Sequence, residues 1–349
     1  MENNLKHIIR NETLFAGIRK PIKSRQELIP RIRQVKEACA DKTSGPLTHI
    51  FRFDTHVDGF DSEIGYPVSS EVNSGDVKTH TLRKMHFFSL IHKGSTDTIR
   101  NTTLNIFEHM NKAGLSSELE LMEIYHHFDP ENQDENVIET HASFLAWPEV
   151  YKEQILRVLG PELTAEVWQG GESITPFTLV DERVEWVAKT LERLKRHTNT
   201  EQQFDILSRV ALVRPTEDLL ENKKLYEETG DINTVLESES KNLMATPTGG
   251  PIDPWWFKDG VLHLSKVSMN RQAYDIAKTP EELRKAYCFC SLIREATDPK
   301  VDPIFCYRAA GWARQFYEPI LGIEFKKCTI THSILKGDRF CAWDYQLDE

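Results

Sequence analysis

The chain has 349 residues, of which 39% are hydrophobic and 28% are charged, and its formal net charge is −11. This composition is ordinary for a globular protein, and the length is enough for two or three domains. The acidic balance disfavours nucleic acid as the main partner, because binding to phosphates needs clustered lysine and arginine.

The sequence also bears on the cellular compartment. No N-terminal stretch has the pattern of a signal peptide, and no apolar run approaches the roughly 18 residues of a membrane span. Six cysteines in a chain of this length are too few for a disulfide framework. We therefore expect a protein of the reducing cytoplasm that does not associate with membranes and whose thiols are free or metal-bound.

The first 150 residues contain the same pattern twice. RQELIPRIRQVKEAC and TDTIRNTTLNIFEHM each place apolar residues at helical spacing. The first is followed by the strand candidates LTHIFRFD and EIGYPVSSEV, and the second by SELELMEIYHHF and NVIETHASFLAW. This order predicts an α+β fold with an internal repeat of a helix-plus-strands module.

After Trp147 the pattern changes to amphipathic helices, of which ERVEWVAKTLERLKRH is the clearest. A further helix is predicted to start at Thr279, which is followed by a proline and two acidic residues. The chain ends in a predicted hairpin, IEFKKCTITHSILKGDRFCAWDYQL. We expect a first domain over residues 1–150 and a second, helical and then α+β, over residues 151–349.

The strand LELMEIYHH carries a carboxylate among apolar residues. Because side chains alternate along a strand, Glu123 shares its face with Leu121 and Tyr125, whereas Met122 and Ile124 face the other way. A partly desolvated carboxylate can bind a cation or act as a general base with a raised pKa. The alternative is an edge-strand glutamate that points to water.

Several short motifs, taken in order, resemble a known family over about residues 10–147. They are Tyr66-Pro67-Val68, His92-Lys93-Gly94, Glu123 before Tyr125, and Glu139-Thr140. This order resembles the GyrI-like small-molecule-binding domain, which also serves as the effector-binding module of some multidrug-responsive transcription activators. Ser95 is a departure, since the family usually has proline after this glycine.

The resemblance implies two α+β repeats around a central cleft lined by aromatic side chains. In that family a central glutamate recognises the ligand, and the resemblance places it at Glu123. Tyr66 and Tyr125 would be aromatic walls of the cleft, suited to cation–π contact. Phe53 and His92 complete the predicted set of ligand-binding residues. Some members of the family hydrolyse cyclopropane-bearing compounds with this glutamate as acid/base. No DNA-binding segment precedes the domain, so we do not expect a transcription activator.

The second half of the chain resembles another family. LYEETGDINTVL, AYCFCSLI, FCYRAAGWARQFYEPILG and SILKGDRFCAW are similar to segments of the L-2-amino-thiazoline-4-carboxylic acid hydrolase-like family. The match covers about residues 180–349 and is strongest after Thr279. The resemblance implies ring-opening hydrolysis of a thiazoline, but none of its motifs transfers a catalytic role to a particular residue.

Three of the six cysteines, Cys288, Cys290 and Cys306, lie close together in the sequence. Zinc sites commonly pair cysteines two to four residues apart, whereas Cys288-x-Cys290 is tighter and would lie on one side of a strand. Cys306 falls on an apolar helical stripe, and Cys341 alternates with aromatic residues. Core packing, a thiolate ligand cluster and a nucleophilic thiol are the three interpretations; we prefer core packing and predict no structural zinc.

These features support two main hypotheses. The first is a small-molecule-binding protein that recognises an amphipathic or cationic ligand in an aromatic cleft with a central glutamate. The alternative is a hydrolase of a small cyclic compound, of the thiazoline or cyclopropane type, that uses Glu123 or one of the candidate cysteines, with Arg308 or His332 as a possible activating partner. We favour binding, because the sequence shows no catalytic histidine, serine or metal partner for Glu123, and we expect no cofactor.

A third hypothesis is a scaffold. The PWWF segment, Pro254 to Phe257, lies in the predicted loop NLMATPTGGPIDPWWFKDG and is rich in tryptophan, which is enriched at protein interfaces. The alternative is that these tryptophans cover the core of their own domain.

Overall fold

The computed structural model describes residues 5–52, 60–129, 131–211, 216–244, 246 and 248–347. The chain divides into two compact units, Met1–Met110 with Ser117–Leu145 and Asn111–Ser116 with Ala146–Glu349. Both units combine helices with antiparallel strands, which confirms the predicted α+β class. Among the helices described, none is long and apolar enough to cross a membrane.

The first unit is built from strands and two helices. In chain order its elements are β1 (Lys6–Arg10), β2 (Thr13–Arg19), a 3-10 turn (Arg25–Glu27), α1 (Leu28–Cys39), β3 (Leu47–Arg52), β4 (Asp61–Pro67), β5 (Lys78–Leu82), β6 (Met85–Lys93), a 3-10 turn (Thr96–Thr98), α2 (Ile99–Lys112), β7 (Ser117–His127), a 3-10 turn (Gln133–Glu135) and β8 (Val137–Phe144).

The strands of this unit form one antiparallel sheet in the order β1-β6-β8-β7-β3-β4-β2-β5. The succession β2-α1-β3-β4 recurs as β6-α2-β7-β8, and the two copies take mirrored places on either side of the central β3/β7 pair. The predicted duplication of a helix-plus-strands module is therefore confirmed.

The helices cover one face of this sheet. Leu28 of α1 and Ile99 of α2 pack in one cluster with Tyr125 of β7. Met122 packs in a separate cluster on the opposite face of the same strand. Since alternate side chains point to opposite faces, Glu123 points with Tyr125 to the face that the helices cover.

The second unit is mainly helical. In chain order its elements are α3 (Trp147–Val167), a 3-10 turn (Gly171–Ser173), α4 (Val180–His197), α5 (Thr200–Ser208), α6 (Thr216–Thr229), α7 (Ile232–Met244), β9 (Trp256–Lys258), β10 (Val261–Ser265), α8 (Arg271–Ile276), α9 (Pro280–Tyr287), α10 (Ser291–Glu295), a 3-10 turn (Pro303–Cys306), α11 (Tyr307–Leu321), β11 (Lys327–His332), a 3-10 turn (Ile334–Lys336) and β12 (Ala342–Gln346).

Four strands of this unit form a second antiparallel sheet, in the order β11-β12-β10-β9. The predicted C-terminal hairpin is present as β11 and β12. The predicted start of α9 is also present, since the Thr279 hydroxyl accepts from the backbone N–H of Glu282. Helix α11 approaches α5 closely at Gly311, where a Cβ atom would lie 1.8 Å from the carbonyl oxygen of Ser208.

Two local predictions need correction. Cys288 and Cys290 do not lie on a strand, because they occupy the short connection between α9 and α10. A short apolar run in the sequence does not distinguish a strand from a segment at the end of a helix. The PWWF segment is not wholly a loop, since Trp256 begins β9. The Trp255 indole donates to the carbonyl of Ser265 at 2.6 Å, and Trp256 stacks on His263 with 5.0 Å between ring centres.

Candidate functional site

Glu123 is a buried carboxylate near the middle of β7, and the residue is 4% exposed. It pairs with His49 across the central β3/β7 ladder and points to the helix-covered face of the sheet. An ionised carboxylate in such a position needs charged or hydrogen-bonding partners, because an uncompensated buried charge is very unfavourable.

Arg25, from the 3-10 turn before α1, supplies most of this compensation. Its Nη1 and Nη2 atoms donate to the two carboxylate oxygens of Glu123, each at 2.5 Å. The Tyr125 hydroxyl donates to Oε2 at 2.8 Å. Burial alone would raise the pKa of Glu123, but the hydrogen bonds and charge of Arg25 outweigh it and lower the pKa to about 2. The carboxylate is therefore ionised at neutral pH.

Aromatic rings border this ion pair. The guanidinium carbon of Arg25 lies 5.2 Å from the ring centre of Phe51, within cation–π distance. The Phe51 ring is 3.8 Å from the ring of His49, and the Tyr125 ring is 5.0 Å from that of Phe128. A cation at the position of the Arg25 guanidinium thus contacts both a carboxylate and an aromatic ring.

His49 has one ring nitrogen without a hydrogen-bond partner among the described residues. Its Nε2 lies 2.7 Å from the Ser62 hydroxyl, whereas Nδ1 lies 3.8 Å from Oε2 of Glu123, too far for a hydrogen bond. Burial lowers the pKa of His49, so the ring is neutral at physiological pH. The site therefore offers one unused polar atom beside the carboxylate.

Two other residues of the predicted ligand-binding set, Tyr66 and His92, have contacts of their own. Tyr66 packs with Ala16 and Cys39 in a cluster separate from that of Tyr125. Phe53 lies outside the described residues. Among the described members of this set, the contacts join Glu123 to Tyr125 alone, and Tyr66 as an aromatic wall stays a prediction.

His92 is engaged through both ring nitrogens. Nδ1 lies 3.0 Å from the Thr102 hydroxyl, and Nε2 lies 2.9 Å from the carbonyl oxygen of Ser95. These bonds connect the end of β6 to the start of α2. They give His92 a structural task, and its predicted role in ligand binding is untested.

Sequence reasoning missed Arg25, His49 and Phe51 as members of the site. His49 and Phe51 alternate along LTHIF as Glu123 and Tyr125 do along β7, so they share one face of a strand. That alternation could have indicated that His49 and Phe51 share a face, but it does not predict that their strand, β3, pairs with β7.

Four of the five cysteines of the second unit form a second candidate site. Cys288, Cys290 and Cys306 line one cavity of about 40 Å³, and Cys341 lines it with them. Nη1 of Arg308 lies 3.7 Å from Sγ of Cys290, so the suggested activating partner is close to a thiol. Within the described part of the chain, no group of three or more potential ligands could hold a metal ion. Cys341 was absent from the predicted site.

No protein-family model matches the chain, and no curated protein matches it. Solved structures similar to it include the EcmrR C-terminal domain, with 18% identity and a TM-score of 0.35, over 41% of this chain and 98% of that one. EcmrR in an EcmrR–DNA complex is also similar, with 15% identity and a TM-score of 0.37. This match covers 40% of the present chain and 57% of the EcmrR chain, little more than half of EcmrR.

Two further structures have similar values. SAV2435 bound to tetraphenylphosphonium is 12% identical with a TM-score of 0.30, over 43% of this chain and 97% of that one. A hydrolase from Listeria innocua is 12% identical with a TM-score of 0.31, and the match covers 41% of this chain and 92% of that one. These likenesses are partial and assign no function to the chain.

Proposed function

We propose that the first unit is a small-molecule-binding module of the GyrI-like kind that takes a cationic or amphipathic ligand at Glu123. We further propose that the guanidinium of Arg25 holds the place that the ligand cation takes. The observation that carries the proposal is the Arg25–Glu123 pair: the carboxylate side chain is 5% exposed and the arginine side chain is 35% exposed.

This difference in exposure makes exchange of the cation feasible. Glu123 is fixed in the middle of a strand, whereas the Arg25 guanidinium can move into water and be hydrated there. A ligand cation that replaces it restores the charge balance of the buried carboxylate and contacts the Phe51 ring. The unpartnered Nδ1 of His49 is available for one further polar contact.

The backbone around Arg25 is held independently of the ion pair. The Glu27 carboxylate accepts from the backbone N–H groups of Lys23 and Ser24, at 3.0 and 3.1 Å. Loss of the Arg25–Glu123 contact therefore leaves the turn before α1 anchored. We expect a side-chain movement of Arg25 rather than unfolding of the helix start.

The same geometry disfavours the hydrolase alternative at this site. A general acid near neutral pH needs a raised pKa, but the pKa of Glu123 is lowered to about 2. The nearby hydroxyl of Ser62, which lies 2.7 Å from Nε2 of His49, is fully buried and is therefore out of reach of a substrate as a nucleophile. The acidic net charge of −11 supports a small-molecule partner over nucleic acid, and the free cysteines support a reducing cytoplasm.

The proposal can be tested by titrating the full chain with tetraphenylphosphonium in a calorimeter. Triphenylphosphine oxide, which has a similar shape and no net charge, is the control ligand. Glu123→Gln should weaken binding of the cation by about 1–3 kcal/mol, the usual scale for a charge-assisted contact. Arg25→Met should strengthen it, because the internal competitor is removed.

Arg33→Met is the matched control, because Arg33 is an exposed arginine of α1. It should leave the affinity for tetraphenylphosphonium unchanged. Equal affinities of the wild type, Glu123→Gln and Arg25→Met would show that the cation does not bind at this carboxylate.

A further inference from the structure

The Arg25–Glu123 contact constrains the shape of the cation as well as its charge. Nη1 and Nη2 of Arg25 lie on one edge of the planar guanidinium, and each donates to a different oxygen of the carboxylate, at 2.5 Å. Two parallel N–H groups match the spacing of the two carboxylate oxygens, so such a pair is stronger and more specific than contact with a point charge. The buried carboxylate thus faces the edge of a flat donor.

The carboxylate depends on these donors for its hydrogen bonds. Among the described residues, Oε1 accepts from Arg25 alone, and Oε2 accepts from Arg25 and from the Tyr125 hydroxyl. Nδ1 of His49, at 3.8 Å from Oε2, is too far away to replace a donor. The Glu123 side chain is 5% exposed, so water has little access to it. A cation without N–H groups would leave Oε1 without a hydrogen bond, which is costly for a buried charged group.

The surroundings of the Arg25 guanidinium also favour a flat group. The ring centre of Phe51 lies 5.2 Å from the guanidinium carbon, and Phe51 packs against the cluster that contains Leu28 and Tyr125. The Tyr125 hydroxyl lies 3.5 Å from Nη1. A flat cation can lie against the ring and reach the carboxylate with its edge. A quaternary centre holds its charge further from the carboxylate, because its substituents lie between them, and the attraction falls with distance.

Exchange with Arg25 depends on the donors of the incoming cation as well. A guanidinium or amidinium that replaces Arg25 restores both contacts with the carboxylate, so the exchange costs no hydrogen bond at Glu123. A quaternary ammonium or phosphonium restores neither contact. Arg31 does not take the vacated place, since its Nη1 and Nη2 atoms donate to the carbonyls of Lys20 and Pro21, at 2.7 and 3.0 Å.

We propose, on the basis of the function proposed above for the first unit, that the ligand cation is a flat group with two parallel N–H donors. A guanidinium and an amidinium are the two cations of this class, and quaternary ammonium and phosphonium ions lie outside it. Arg25 is then an internal analogue of the ligand cation. The exchange includes no covalent step, because one hydrogen-bonded cation takes the place of another.

Three aryl compounds of similar size test this class of ligand. Phenylguanidinium has the positive charge and the parallel N–H donors, phenyltrimethylammonium has the charge without the donors, and phenylurea has the donors without the charge. Each is titrated into the full chain in a calorimeter at neutral pH. Phenylguanidinium should bind about tenfold or more tightly than either of the other two, the scale on which a hydrogen bond to a charged group contributes.

Variants separate the donors from the aromatic contact. Glu123→Gln keeps the size of the side chain but has one acceptor oxygen in place of two, so the affinity ratio of phenylguanidinium to phenyltrimethylammonium should fall towards one. Phe51→Leu removes the ring that both cations contact, so it should weaken both by a similar factor and leave the ratio unchanged. Arg33→Met, at an exposed position of α1, is the control and should change no affinity. Circular dichroism confirms that each variant is folded before affinities are compared.

The results distinguish the ligand class from the function proposed for the unit. If both cations bind the wild type equally and both bind Glu123→Gln more weakly, Glu123 remains the cation site and the flat N–H class is overturned. A preference for phenylguanidinium that persists in Glu123→Gln, while both cations bind more weakly, would also overturn this class, because the donors would then bind another acceptor. No effect of Glu123→Gln on either cation would overturn the proposed function and the ligand class together.

Discussion

His49 and Glu123 face each other across the central strand pair, with 3.8 Å between Nδ1 and Oε2. This distance is too long for a hydrogen bond, and it is Arg25 that donates to both carboxylate oxygens. Burial lowers the pKa of His49, and the positive charge of Arg25 lowers it further by a smaller amount, whereas Glu123 raises it. Burial is therefore the main reason that the histidine is neutral, and Arg25, which compensates Glu123, adds to it.

Removing Arg25 should change this balance. In Arg25→Met we expect the pKa of His49 to rise, because a repelling cation is lost and the negative charge of Glu123 is no longer neutralised. Titration of the imidazole signals by NMR gives the pKa in the wild type and the variant. Arg33→Met should leave the His49 titration where it is, and an unchanged pKa in Arg25→Met would contradict this account.

The Arg25–Glu123 pair should also make stability depend on pH. The folded-state pKa of Glu123 is lowered from 4.5 to about 2, so its contribution is complete above pH 4.5 and is lost as the pH falls towards 2. This shift corresponds to roughly 3 kcal/mol in the free energy of unfolding. Other carboxylates, including Glu139, whose pKa is lowered mainly by His141, titrate in the same range.

The Glu123 contribution is therefore measured as a difference. Denaturant unfolding of the wild type and of Glu123→Gln, at pH values between 3 and 7, gives two curves of stability against pH. The stability advantage of the wild type should be largest at neutral pH and should shrink below pH 4.5. A difference that stays constant down to pH 3 would rule out the lowered pKa.

Cys341 should titrate as an acidic thiol. Its pKa of about 7 depends first on the Cys306 thiol, so Cys306→Ala should raise it, whereas Cys306→Ser, which keeps a donor, should raise it less. Thiolate absorbance near 240 nm against pH measures the titration, and the step near pH 7 should disappear in Cys341→Ser. If that step persists in Cys341→Ser, another thiol is responsible.

The site in the first unit was predictable in part. Alternation along β7 placed Glu123 and Tyr125 on one face, because the two-residue period of a strand is a local property. Arg25 was not predictable in this way: it lies 98 positions before Glu123, in the polar segment KSRQE, where a charged side chain usually points to water. The sheet order, which is set by long-range packing, brings the two together.

In the second unit, too, local sequence patterns predicted burial but not which residues come together. The alternation of Cys341 with Trp343 and Tyr345 indicated a buried face, and Cys341 is 5% exposed. Burial was therefore predictable, but the convergence of four cysteines on one cavity was not. It depends on how the segment after α9, the start of α11 and the residue before β12 pack together, and neither spacing nor composition specifies this.

We still predict that these cysteines hold no structural zinc. Such a site needs four ligands in tetrahedral arrangement, with sulfur about 2.3 Å from the metal. Elemental analysis of the chain, purified without chelator or added metal, is the measurement. A zinc content near one per chain that is lost in Cys288→Ser would show that the cavity is a metal site.

A pair of glycines tests the packing of the second unit. Gly114 and Gly230 both have φ of +65°, so alanine is strained by a similar amount at each, about 1–2 kcal/mol. A Cβ atom at Gly114 would also lie 2.6 Å from Cγ2 of Val180 and 3.0 Å from Cα of Leu292, whereas a Cβ atom at Gly230 would have no heavy atom of the other described residues within 4 Å, apart from its chain neighbours. Gly114→Ala should therefore reduce the free energy of unfolding by about 1–3 kcal/mol more than Gly230→Ala does. Urea unfolding of both variants measures this difference, and equal losses would mean that the segment around Gly114 is not packed against Val180 and Leu292.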